Sequence, residues 1–69
     1  MNERDIKIKL GQGVTEMKIF NRPYLLIFIN GVSFYTNRIE YDDEQCLFYL
    51  DNEIIGSVYF SNLKSMDIY

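Results

Sequence analysis

Asn30-Gly31, set between the apolar runs Tyr24–Ile29 and Val32–Phe34, constrains this chain more than any other feature. A two-residue type I′ turn needs positive φ at both central positions, which asparagine and glycine supply, so the pair predicts a tight hairpin of fixed register. Ile29 then faces Val32, Ile27 faces Phe34 and Leu25 faces Thr36 on one side. Tyr24, Leu26, Phe28, Ser33 and Tyr35 take the other. Both sides are largely apolar.

The remaining segments are read against this hairpin. Ile6, Ile8 and Leu10 alternate with Asp5, Lys7 and Lys9, the period-two pattern of a half-buried strand. Gly11-Gln12-Gly13 supplies a turn, and Val14–Phe20 follows as a second strand with Met17 and Ile19 inward, ended by Asn21-Arg22-Pro23. After the hairpin the apolar phase slips from Val32 and Phe34 to Ile39 and Tyr41, which places a bulge or sharp bend near Thr36, Asn37 and Arg38. Asp42-Asp43-Glu44-Gln45 turns the chain into Cys46–Leu50. A three-residue loop, Asp51-Asn52-Glu53, then sets Leu50 against Ile54, Phe48 against Gly56 and Cys46 against Val58. Ser61-Asn62-Leu63 is a short turn with Leu63 tucked under, and Met66 and Ile68 face inward from a last strand.

These elements describe one all-β domain over residues 1–69, an antiparallel meander of six or seven short strands curled into a small barrel or a two-layer sandwich. Parallel pairing lacks a connection of sufficient length. The spacing from Asn30-Gly31 through Tyr41-Asp42 to Tyr59 and Leu63 resembles the Sm-like barrel family, in which an Asn-Gly hairpin leads a bent strand. The resemblance covers about half the chain and implies a barrel. That family's Lys-His signature is missing from the last turn, and no RNA site is carried over.

Composition narrows the chemistry. With no histidine and a single cysteine, Cys46, the chain has no Ser-His-Asp or Cys-His pair, no CxxC motif, no intrachain disulfide and no histidine-based metal centre. Cys46 alternates with Phe48 and reads as a small buried hydrophobe. No metal or cofactor is expected, and no enzyme activity. A net charge of −3 and a pI near 4.7 speak against general nucleic-acid binding, which draws its affinity from Lys and Arg. No apolar run approaches membrane-spanning or signal-peptide length, so a cytoplasmic protein is expected. Ile, Asn, Lys, Tyr and Phe supply 30 of the 69 residues, a bias that fits an AT-rich genome such as that of a low-GC bacterium or its phage.

What remains is surface. An 8.2 kDa globule keeps roughly 4,500 Å² exposed, and for so short a chain burial barely offsets ordering, which makes self-association an expected route to stability. The outward set Tyr24, Leu26, Phe28, Tyr35, Leu47, Tyr49, Ile55 and Tyr59 is the candidate interface of a homo-oligomer, since contiguous apolar patches mark contact sites. Charge divides the chain. Residues 1–38 carry +3 and residues 39–69 carry −6, the acidic side chains gathering at Glu40-Asp42-Asp43-Glu44 and at Asp51-Glu53, turns that could share one end of the meander. Asp42, Asp43 and Glu44 are the candidate contact for a protein partner that the chain modulates or inhibits, as a phage or mobile-element accessory factor would. The alternative is sequestration of a small anionic ligand or nucleotide between subunits, with Lys18, Arg22 or Arg38 on phosphate and Tyr35, Tyr49 or Tyr59 against a ring.

Overall fold

Residues 2–69 are described by a computed structural model, and its first element overturns the all-β expectation. Glu3–Ile19 is one helix, α1, where the sequence predicts two strands and a glycine turn. Asn2 caps it, its Oδ1 accepting from Asp5 N at 2.9 Å. Glu3 and Asp5 lie in the first turn and Lys18 in the last, the arrangement that complements the helix dipole, and Glu3 pairs with Lys7 at 3.0 Å. Asn21, at φ 52°, ends the helix in the left-handed region while Arg22 N donates back to Met17 O. The buried stripe is Ile6, Leu10 and Gly13, continued by the half-buried Met17, and follows a helical period. Ile19, expected inside, is 68% exposed.

Gly13 serves packing here. A Cβ at this position would meet Leu25 Cδ1 at 3.2 Å and Ile68 Cγ2 at 3.3 Å, so the glycine lets the helix axis approach the sheet. Lys9 Nζ adds a hydrogen bond to Met66 O at 3.0 Å.

Six antiparallel strands follow: β1 (Leu25–Ile29), β2 (Val32–Thr36), β3 (Arg38–Tyr41), β4 (Gln45–Leu50), β5 (Glu53–Tyr59) and β6 (Met66–Ile68). The β1–β2 hairpin has the predicted register, Leu25 opposite Thr36 and Ile29 opposite Val32, over a turn with Asn30 at φ 51° and Gly31 at φ 82°. At Asn37 the chain leaves the first sheet for the second, which is the predicted bend. Thr36 forms the corner: its Oγ1 lies 2.9 Å from Arg38 O and 2.6 Å from Tyr49 O, so a buried hydroxyl of the first sheet donates to carbonyls of the second.

The ladders are separate three-stranded sheets, β2-β1-β6 and β3-β4-β5. Among the described residues no hydrogen bonds join β5 to β6, so the barrel that the resemblance implies is not closed. The fold is α/β, with a helix over two small antiparallel sheets. Their inner faces share one core, in which Phe34 of β2 stacks on Phe48 of β4 at 5.2 Å between centroids. Leu63, after the 3-10 turn Phe60–Asn62, is buried as expected. The exposed surface, 4636 Å², is what a single globule of this mass retains.

One turn differs from its predicted form. Asp51 and Asn52, at φ 51° and 71°, make a two-residue loop with Leu50 opposite Glu53. The register then shifts between Phe48 and Tyr49, with Ile55 as the extra residue. Phe48 still meets Gly56 and Cys46 still meets Val58.

Candidate functional site

The outward side chains of β1 and β2 form one continuous patch. Tyr24 stacks on Tyr35 with centroids 4.9 Å apart, and Phe28 sets its ring edge-on to Tyr69 at 5.6 Å. Leu26 lies between, bonded through its backbone to Tyr69 and opposite Tyr35. Tyr69 was not part of the sequence-derived set. Its place follows from the period of β6, which turns Met66 and Ile68 inward and Asp67 and Tyr69 together to the outer face.

The other four candidates sit on the second sheet, so the predicted interface is divided between two sheets. Leu47 and Tyr49 alternate outward on β4, with Ser57 and Ile54 as their cross-strand partners. Ile54 thus occupies the place assigned to Ile55, which the bulge displaces. Tyr59 lies opposite Gln45 near the end of β5. Tyr49 also carries Arg38 over its ring at 4.1 Å, and its hydroxyl donates to Glu40 Oε2 at 3.1 Å, which raises the phenol's pKa.

Strand β5 is itself an edge, seven residues long and without a charged side chain from Ile54 to Tyr59. Ile54 is 59% exposed and Tyr59 51%. Phe60 N donates to Glu44 O, and the antiparallel alternation from that bond directs the N–H groups of Ser57 and Tyr59 away from β4. Natural edges are usually guarded by charge, proline or a bulge. Here the bulge occupies the first half only.

The two acidic turns lie at opposite ends of β4, which corrects the expectation of a shared end. Asp51 is joined to Asn37 by two side-chain hydrogen bonds. At the other end Asp42 is a structural residue. Its Oδ1 accepts from Glu44 N at 2.8 Å and Gln45 N at 2.9 Å, and these bonds lower its pKa. Asp43 and Glu44 remain free of that duty. With Glu3, Tyr59, Phe60 and Ser61 they line an open cleft of about 420 Å³ beside the first turn of α1. Lys7 stands at its margin, 5.5 Å from the Phe60 ring, its pKa raised by its hydrogen bond to Glu3.

A carboxyl with a depressed pKa stabilises the fold at pH values above its unfolded pKa, near 3.8, and loses that contribution as pH falls through the lower folded value. Asp42→Asn is therefore expected to lower the thermal midpoint at neutral pH. The difference from the parent chain should vanish in strong acid, where both lack the charge. Melting curves at neutral and acid pH test this; a constant difference across pH would refute the assignment.

The anion-site residues are not assembled. Arg38 lies over Tyr49 and 3.8 Å from Glu40, whereas Lys18 is in the last turn of α1 and Arg22 in the turn that follows it. No hydrogen bond or ion pair joins them among the described residues. Cys46 is fully buried, and burial pushes its thiol to about 11, so little thiolate exists at neutral pH. Among the described residues no group of three or more acidic, cysteine or histidine side chains could hold a metal, and no helix is long and apolar enough to cross a membrane. Comparison with protein families, with curated proteins and with solved structures yields no match.

Proposed function

We propose that this chain is a non-enzymatic binding protein of the cytoplasm. It works as a homo-oligomer joined through the β5 edge, and it modulates or inhibits a macromolecular partner. The observation that carries the reading is the uncharged edge itself, flanked by the exposed Ile54 and Tyr59. An edge of this kind is a template for another strand, and a second copy supplies one at no cost in specificity. The contact offered to the partner is Asp43 and Glu44, whose carboxylates enter no salt bridge among the described residues and whose cleft is bordered by the exposed Tyr59.

Light scattering on the chain at micromolar concentration should give a mass that is a multiple of one chain. Ser57→Lys with Tyr59→Lys places two charges on the edge and is expected to return it to single-chain mass, with the circular dichroism of the parent retained. A parent that scatters as one chain at that concentration would remove the proposal. Charge reversal at Asp43 and Glu44, sparing Asp42, is expected to abolish partner capture without changing the mass.

A further inference from the structure

The Asn30-Gly31 turn combines a reactive sequence with a contact that restrains it. Glycine after asparagine leaves its own backbone nitrogen unshielded, and a Cβ at Gly31 would meet nothing within 4 Å. Both residues are exposed. Yet the Asn30 carboxamide is engaged at three points by the segment before β6. Nδ2 donates to Asn62 O at 2.9 Å, and Oδ1 accepts from Lys64 N at 2.8 Å and Ser65 N at 3.2 Å. Asn30 N also donates to Ser65 O. The same side chain that shapes the hairpin turn therefore staples the approach to β6 onto it.

We propose that Asn30 is a deamidation site that the fold holds shut, and that its modification irreversibly loosens β6. In the reaction the Gly31 nitrogen loses its proton to hydroxide and attacks Asn30 Cγ. The new N–Cγ bond closes a five-membered imide, the Cγ–Nδ2 bond breaks, and the amide nitrogen leaves as ammonia. Water then opens the ring at either carbonyl to aspartate or isoaspartate. Attack requires Cγ to swing to the Gly31 nitrogen, which the hydrogen bonds to residues 62–65 oppose. Reaction thus awaits local opening of that segment.

The products do not restore the staple. Aspartate replaces the Nδ2 donor with a carboxylate oxygen directed at Asn62 O, two acceptors without a proton between them, and isoaspartate draws Cγ into the main chain, so the side chain that made the staple is gone. Isoaspartate also lengthens the backbone within a two-residue turn, so the register that places Ile29 opposite both Val32 and Met66 no longer closes.

The test follows ammonia release and isoaspartate at residue 30 by peptide mapping, in mildly alkaline buffer, on the folded chain and on the same chain unfolded in guanidinium chloride. The folded protein should react at least about tenfold more slowly, the factor set by how seldom the segment opens. Met66→Ala, which thins the contacts of β6, should speed the folded reaction several-fold. The modified chain should lose amide-exchange protection at Leu26, Asn30 and Tyr69. Equal rates in the folded and unfolded chains would overturn the restraint, and a modified chain with full protection at those amides would overturn the consequence. Single-chain mass of the parent bears on the oligomer proposal and leaves both measurements intact.

Discussion

Phe48→Ala is expected to cost about 3 to 5 kcal/mol, the range for emptying a fully buried aromatic site. A chain of this length commands only roughly 3 to 10 kcal/mol in total at typical stability per residue. The ring has no exposed surface, lies on the central strand of the second sheet, and stacks on Phe34 of the first. Its removal deletes the aromatic stack between the two sheets and opens a cavity in the core they share. Urea titration at one fixed protein concentration should show the midpoint collapse or the transition disappear. A midpoint within 0.5 M of the parent, about 1 kcal/mol or less at usual slopes, would mean the sheets are held together elsewhere.

The second large effect comes from the other side of the same stack. A Cβ built on Gly56 would lie 2.3 Å from Phe34 Cε1 and 2.8 Å from Cδ1, so Gly56→Ala displaces the ring and with it the Phe34–Phe48 contact. Overpacking of this kind costs about 1 to 3 kcal/mol. Because the clash is with a side chain, it should be separable. In a Phe34→Leu background the alanine should cost less, giving a coupling between positions 34 and 56 in a double-mutant cycle. Additive losses would place the strain in the β5 backbone instead.

The strand half of this fold was legible because its signals are local and redundant. Asn30-Gly31 admits one turn type, and the phase slip between Phe34 and Ile39 leaves the corner few places to be. At Asp51-Asn52 two errors cancelled. The left-handed conformation of both residues shortens the loop by one, and the bulge at Ile55 restores the count, so Phe48 still meets Gly56. The helix was hidden for a physical reason. Its buried stripe contains Gly13, which adds nothing to an apolar period, while Ile6, Ile8 and Leu10 alternate as a strand would. The segment has two glycines and no alanine, so propensity pointed away from helix as well. The signal present was at its start, where Asn2 precedes acidic residues three positions deep. Tertiary contact with Leu25 and Ile68, which no local window contains, decided the outcome.

The candidate interface residues rest on alternation alone, which reads faces well and neighbours poorly. It put Tyr24, Leu26, Phe28 and Tyr35 on one side of the first hairpin, where they lie, yet could not know that the chain changes sheets after Thr36 and carries the other four candidates onto the second sheet. It also could not distinguish Asp42, spent on its own turn, from Asp43 and Glu44 beside it.

The seclusion of Cys46 ties any oxidation of its thiol to the cohesion of the fold. A sulfur enclosed on the middle strand, and protonated at physiological pH, meets peroxide or a foreign thiol only when β4 comes free of its neighbours. Its oxidation should therefore keep pace with how often the molecule comes apart, and any partner that binds the assembled form will shield the sulfur without touching it.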